Sequence, residues 1–416
     1  MVSSVKGTQD IRYPEIRRWQ SVEATAREVF ARYGFTEIRT PILERTELFI
    51  RSIGSETDIV NKEMYTFPDR KGRSLTLRPE NTAGVARAVV EHSLHRSPLH
   101  SRLYYIGPQF RYERPQKGRY RQFHQIGAEV IGDGSPGADA ETIAMVVDFL
   151  AHVGLMGLQV QLNSVGCPEC RPGYVAVLKE ALEEKRDILC SDCRRRIEAN
   201  PLRVLDCKVP GCREAIRGVP ALTDHLCGEC DSHYAEVKRV LSLMGVESVE
   251  NQRLVRGLDY YTRTVFEVTS AVLGAQDAVV GGGRYDGLLE EVGGPALQAF
   301  GWALGLERLI MALPPVAGKN ADRIYIAWHG EGTYDVALEL AIELRKRGRA
   351  VLMDHGGRSL KSSMKRADRL EAKWTVLLGE DELSAGSVSL KEMATGEQRW
   401  LKWSELYDLM ELETGT

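Results

Sequence analysis

The chain has no run of roughly 18 consecutive apolar residues, so nothing in it reads as a membrane span. Its first ten residues, MVSSVKGTQD, lack the apolar core of a signal peptide, and a cytoplasmic location is the expectation. It has no G-x-x-x-x-G-K-[ST], which excludes a P-loop. GGGRYDG, Gly281 to Gly287, fails as a dinucleotide fingerprint, because Asp286 stands where the third glycine belongs. Alone, that glycine run reads as a tight turn between strands. There is no internal repeat and no low-complexity segment. A net charge of −3 excludes a uniformly basic nucleic-acid binder, although local patches can still do that work. Cysteine is absent everywhere except between Cys167 and Cys230, where all eight fall. In a chain expected to be cytosolic, such pairs point to metal or redox chemistry before disulfides.

What is present suits two to three soluble domains in 416 residues. Pro14 to Gly34 reads as an amphipathic helix, with Ile16, Trp19, Val22, Ala26 and Phe30 at spacings of three and four. FTEIRTPIL reads as a strand stopped by Pro41. Ser74–Leu77 reads as a strand leading to Asn81 and Thr82, caps for a helix over AGVARAVVEH. Leu103–Arg111 and Gln122–Ile131 read as two strands around a long basic loop, and Gly154–Val165 as a further strand. Helices are expected near Val175–Lys185 and His233–Leu243 in an inserted cysteine module, and from Phe300 to Leu313. LVRGLDYYTRTVFEV, Leu254 to Val268, reads as a strand. After Gly318, strands at RIYIAWHG, RAVLMDHG and WTVLLG alternate with two helices, as in a compact α/β domain.

Charge is concentrated where strands should be apolar. Arg111 and Glu113 share one face of a strand end, and Gln125 and Glu129 one face of its partner. Arg111 can fork onto a phosphate or carboxylate. Gly301, Gly305 and Arg308 would share one helical face, with Arg308 projecting from a close helix–sheet contact. Arg256, Asp259 and Arg263 surround Tyr260 and Tyr261, a costly set to bury without partners. Such a sheet is the floor of a polar pocket.

GFTEIRTPI resembles motif 1 of class II aminoacyl-tRNA synthetases, FRYERPQKGRYRQFHQIGAEVIG their motif 2, and FGWALGLERL their motif 3. LVRGLDYYTRTVFEV and VGGGRYDGLL resemble the two signature peptides of the histidyl-tRNA synthetase family. The resemblance implies an α+β catalytic domain, an antiparallel sheet flanked by helices, dimeric through motif 1. It implies a mainly helical cysteine-rich insertion leaning toward the tRNA acceptor stem, and a C-terminal α/β anticodon-binding domain. The divisions expected are 1–165 and 249–318 for the catalytic core, 166–248 for the insertion and 319–416 for the anticodon domain.

The implied activity is ATP-dependent attachment of L-histidine to tRNA(His), through a histidyl-adenylate and with Mg²⁺ accompanying ATP. By resemblance, Arg111 and Arg256 would be catalytic, at the α-phosphate and the reacting carboxylate. Glu80 and Gln125 would hold the amino and carboxylate ends of histidine, and Glu129 and Tyr261 its imidazole, with Thr82, Tyr260 and Tyr285 around them. Glu113 would contact adenine, Arg119 would assist, and Arg308 would meet the γ-phosphate. One departure is Asn81 where the family often has glycine; asparagine tolerates a left-handed turn. Asp259 would steady the arginines.

Cys167/Cys170, Cys190/Cys193 and Cys227/Cys230 are C-x₂-C pairs and Cys207/Cys212 is C-x₄-C. Eight thiolates would complete two structural zinc sites, with reduced thiols or an iron–sulfur cluster as alternatives. Many family members lack these cysteines, so the family's chemistry does not require the metal. Lys361, Lys365 and Arg369, four apart along a helix, would meet anticodon phosphates. Two further readings stay open: a catalytically silent regulatory relative, and a zinc-based nucleic-acid binder resting on the cysteines alone.

Overall fold

The computed structural model describes residues 2–54, 57–97, 101–273, 278–314 and 323–412. It comprises two compact units, Met1–Pro315 and Val316–Thr416. The first begins with α1 (Glu15–Arg32), β1 (Thr36–Glu37), β2 (Leu43–Arg45), α2 (Thr46–Ile53), β3 (Tyr65–Pro68), β4 (Ser74–Leu77) and α3 (Thr82–Glu91). It continues with β5 (Arg102–Phe110), β6 (Gln122–Ile131), α4 (Pro136–His152) and β7 (Leu158–Ser164). The cysteine-rich segment supplies α5 (Arg171–Glu183), α6 (Ser191–Ala199), α7 (Pro210–Ala215) and α8 (Gly228–Leu243). Then come β8 (Ser248–Glu250), β9 (Thr262–Ser270), β10 (Ala278–Arg284), α9 (Leu288–Glu291), β11 (Ala299–Gly305) and α10 (Leu306–Ala312).

Eight strands form one sheet in the order β1-β5-β6-β11-β10-β9-β7-β8. Its interior pairings are antiparallel and only the two edge pairings, β1–β5 and β7–β8, are parallel. A small sheet, β2-β4-β3, stands apart. Alternating side chains go to opposite faces of a strand. Phe266 and Val268 of β9 join Phe30 of α1, Phe149 of α4 and Trp302 in one core. Val265 joins Tyr105, Tyr285, α3 and the cysteine-rich helices in another. The second unit has β12 (Arg323–Trp328), α11 (Thr333–Lys346), β13 (Ala350–Met353), α12 (Leu360–Arg369), β14 (Trp374–Leu378), α13 (Glu380–Ser384), β15 (Ser387–Glu392), β16 (Gln398–Lys402) and α14 (Trp403–Leu412). Its sheet runs β13-β12-β14-β15-β16, parallel in its first three strands and antiparallel in the rest.

Several expectations change. Phe300–Leu313 is not one helix: Phe300, Trp302 and Leu304 alternate with Gly301, Ala303 and Gly305, a period of two that makes β11, and the helix starts at Leu306. Arg308 therefore shares no helical face with Gly301. The glycine run Gly281–Gly283 is no turn but the middle of β10, between β9 and β11. FTEIRTPIL gives only the two-residue β1; beyond Pro41 the chain passes to the small sheet through β2. Leu254–Tyr261 is not strand, because side chains from the cysteine-rich segment take two of its carbonyls; β9 starts at Thr262. Asn81 has φ −111°, so no left-handed turn arises, and its side chain accepts from Thr40 rather than capping α3. The expected boundary between 318 and 319 lies outside the described residues.

One buried polar centre ties three elements together. Asp139 of α4 is fully buried and pairs with the Arg284 guanidinium of β10, while His233 Nε2 of α8 lies 2.9 Å from its Oδ2. Removing one partner of such a group leaves a charge in a dry interior. Asp139→Ala is expected to destabilise the first unit by about 3–5 kcal/mol in urea unfolding, and a loss within experimental error would contradict this role.

Candidate active site

A cavity of about 400 Å³ opens over the centre of the large sheet. Glu80, Thr82, Arg111, Glu113, Arg119, Gln125, Arg256, Tyr260, Tyr261, Tyr285 and Arg308 all line it. Residues from the strand ends, from α3 and α10, and from the 254–261 loop are thus brought together. Glu129 lies buried just beneath, in contact with two of them.

Glu80 sits at the start of α3, where free backbone N–H groups favour an anion. Its carboxylate accepts from Thr82 N at 2.7 Å and Ala83 N at 2.9 Å. Burial pushes this carboxyl up, and the two N–H groups oppose it. Glu129 accepts from Thr82 Oγ1 at 2.8 Å and from the Tyr285 hydroxyl at 2.5 Å. Burial raises its carboxyl to about 8, against the pull of those two hydrogen bonds. Tyr260 lies between Tyr261, tilted at 46° with centroids 4.7 Å apart, and Tyr285, edge-on at 67° with centroids 5.7 Å apart. Burial raises all three phenols.

The guanidiniums are held but not consumed. Arg111 donates from Nε to Pro79 O at 2.8 Å and lies over the Phe123 ring. Its Nη1 is 3.9 Å from Glu113, whose other oxygen is 3.5 Å from Arg119. Arg256 pairs with Glu267 of β9 and lies across Gly281 of β10. Arg308 reaches Ala278 O at 3.3 Å, and burial lowers its pKa. The buried Gln125 Oε1 has no partner among the described residues.

Some site residues escaped the sequence. Glu267 is a carboxylate within an apolar strand, a signal that was present. Glu307 accepts from the His124 N–H at 2.9 Å and meets His124 Nδ1 at 3.0 Å. Asp206 and Lys208, on either side of Cys207, line the cavity from the cysteine-rich segment, and only the fold brings them there. Asp259 meets Asn200 at 2.9 Å and Arg203 at 3.5 Å. Arg263 points away, to Glu229 at 3.2 Å.

The cysteines gather in two groups of four, Cys167/Cys170/Cys227/Cys230 and Cys190/Cys193/Cys207/Cys212, and none forms a disulfide. Sulfur separations include 3.7, 3.8 and 3.9 Å in the first group and 4.0 Å in the second. A zinc ion with four sulfurs at about 2.3 Å needs them about 3.8 Å apart, so both groups fit tetrahedral ligation. Within the second group the Cys193 backbone N–H draws the Cys190 thiol down, while burial pushes the Cys193 and Cys212 thiols up.

The sequence model described as histidyl-tRNA synthetase matches residues 7–191 and 213–309, and the one described as anticodon binding domain matches 322–412. Residues 192–212, with Cys193, Cys207 and Cys212, fall between the two matched segments. Histidine–tRNA ligase of Trichlorobacter lovleyi is 52% identical over 96% of this chain and 95% of its own. That of Halothermothrix orenii is 47% identical over 99% of each. The crystal structure of apo Staphylococcus aureus histidyl-tRNA synthetase superposes with a TM-score of 0.83 at 37% identity, covering 99% of this chain and 100% of that one. A structure titled ATP phosphoribosyltransferase regulatory subunit/histidyl-tRNA synthetase, from Bacillus halodurans C, shares the fold at a TM-score of 0.66 and 23% identity, covering 91% of this chain and 97% of that one. With a polar cavity on an antiparallel sheet and matches along both units, the chain belongs to the histidyl-tRNA synthetase family.

Proposed function

We propose that this chain attaches L-histidine to tRNA(His) at the expense of ATP. The histidine carboxylate attacks the α-phosphorus, pyrophosphate leaves, and the terminal adenosine hydroxyl of tRNA then takes the histidyl group. The observation that carries this reading is one cavity holding Arg111, Arg256 and Arg308 beside Glu80, Gln125 and Glu129. A catalytically silent relative has no need of that set.

Both reactants are anions. Arg111 and Arg256 offset their repulsion and stabilise charge growing on the phosphoryl oxygens. Arg308 takes the γ-phosphate, Glu113 the adenine, and Arg119 the phosphates beside it. The nucleotide is used as its magnesium complex. Glu80 and Gln125 hold the amino and carboxylate ends of histidine. Glu129 accepts from one imidazole N–H and Tyr261 serves the other nitrogen, with Thr82, Tyr260 and Tyr285 fixing both. A pocket built to hydrogen-bond its substrate rejects analogues lacking those groups by roughly 10⁴-fold. Most of the remaining acceleration is in-line positioning.

The domains are 1–165 with 249–318, 166–248, and 319–416. Lys361, Lys365 and Arg369, all exposed on α12, meet anticodon phosphates. Exposed Ile42, Leu43 and Ile50, around motif 1, support a homodimer through that segment. No helix among the described residues is long and apolar enough to cross a membrane, which suits work in the cytoplasm. The two cysteine groups hold zinc as structural sites.

ATP–pyrophosphate exchange across all twenty amino acids should respond to histidine alone; absence of exchange with histidine would sink this reading. Arg256→Ala is expected to lower the exchange rate by about 10²-fold or more with a far smaller change in histidine affinity, and equal losses would contradict a transition-state role. Burial raises the Glu129 carboxyl to about 8, so its protonated form is favoured near pH 7. Accepting an imidazole N–H needs the carboxylate, so histidine binding should release that proton and strengthen as pH rises toward 8. Titration calorimetry in buffers of differing ionisation heat reads the release, and Glu129→Gln should abolish it. Elemental analysis should find about two zinc ions per chain; none would refute the metal sites.

A further inference from the structure

Leu254–Tyr261 carries Arg256, Tyr260 and Tyr261 into the cavity yet belongs to no strand. Without ladder bonds, such a loop stays put only if something else bears the cost of ordering it. From the core, Asn163 Nδ2 donates to Leu254 O at 2.9 Å, Asp259 N donates to Ile53 O at 3.3 Å, and Glu267 pairs with Arg256. Further bonds come from the cysteine-rich segment. Arg171 Nη2 donates to Tyr261 O at 2.6 Å. The same side chain is tied to Val165 O at 2.9 Å and Gly166 O at 3.0 Å, beside Cys167 and Cys170. Arg203 donates to Gly257 O and lies 3.5 Å from Asp259, while Asn200 donates to Asp259 Oδ1 at 2.9 Å. Asn200 and Arg203 stand between Cys193 and Cys207, ligand positions of the second group.

The packing agrees with the hydrogen bonds. Leu254, Val255 and Tyr261 share one buried cluster with Cys193, Val204 and Cys207. Each cysteine group joins chain segments far apart in sequence, Cys167 with Cys230 and Cys190 with Cys212. An ion bound to four sulfurs closes a ring there and fixes the donors that flank it.

We propose that Arg171, Asn200 and Arg203 are positioning residues for histidine recognition, and that metal in the two cysteine groups sets the pocket's affinity for histidine by fixing these three. This rests on the proposed histidine-activating role and extends it to three side chains that do not line the cavity and act through the loop they brace. The second group reaches residues 192–212, so the brace belongs partly to a stretch that lies between the matched family segments.

The test uses the full chain loaded with zinc. Arg203→Ala should raise the KM for histidine in pyrophosphate exchange by about tenfold, with the KM for ATP within about twofold of wild type. Arg203→Lys, which keeps one donor, should recover part of the loss. Asn200→Ala, which removes only the bond to Asp259, gives a milder effect of the same kind should Arg203→Ala not fold. Unchanged constants, or equal changes for both substrates, would overturn the proposal. Deuterium uptake provides a readout independent of activity. Chelation should speed uptake across residues 254–261 and zinc should reverse it, with the second unit unchanged; indifference of 254–261 to chelation would equally overturn the proposal. A wild-type chain without histidine-dependent exchange would remove the proposed function but leave the uptake experiment decisive for the brace.

Discussion

A charged side chain can lie flat on the middle of a sheet only where the strand beneath has no side chain of its own. Two such places organise this protein. A Cβ at Gly281 would stand 2.0 Å from the Arg256 guanidinium, and one at Gly301 would stand 1.7 Å from Glu129 Oε2. The two glycines lie on adjacent strands, β10 and β11. Everything else in the cavity is arranged around the groups they admit: Glu267 opposite Gly281 pairs with Arg256, and Tyr285 and Thr82 grip Glu129. A sheet of large side chains would have stacked well and left no room for a substrate.

The strand pattern supports this on the other face. Phe266 and Phe300 stack with centroids 5.8 Å apart, and Trp302 meets Phe30 of α1. The large residues of β9 and β11 thus stabilise the floor from below, and the small ones shape it above. At the rim, the 254–261 loop lacks ladder partners and receives bonds from Arg171, Asn200 and Arg203 as well as from Asn163 and Glu267. The cysteine-rich segment therefore belongs to the same chain of cause as the floor: the glycines make room for Arg256, and the segment keeps it there.

Much of this was legible in the sequence. The interior strands from β5 to β7 and the helices α1, α3 and α11 announce themselves by the period of their apolar residues. Arg111, Gln125, Glu129 and Arg256 stand out as polar groups in strand-like surroundings, and the structure gathers them in or beneath one cavity. What misled was glycine. Gly281–Gly283 and Gly301–Gly305 suggested a turn and a helix, because local reading cannot tell a glycine that bends the chain from one that clears space above a sheet. Arg203 and Glu229, which meet Asp259 and Arg263, stand 56 and 34 residues away, and only the fold supplies those pairs. The β15–β16 hairpin went unread because β16 is largely exposed and carries almost no apolar alternation.

The glycine floor is tested most directly by Gly281→Ala. The added methyl meets a flexible guanidinium, so the fold should survive with its melting temperature nearly unchanged. Arg256 must move, and a displacement of about 1 Å at a reacting centre can cost roughly a hundredfold in rate. The account predicts a loss of that order in histidine-dependent pyrophosphate exchange by the folded variant. Exchange at the wild-type rate from a folded Gly281→Ala chain would contradict it.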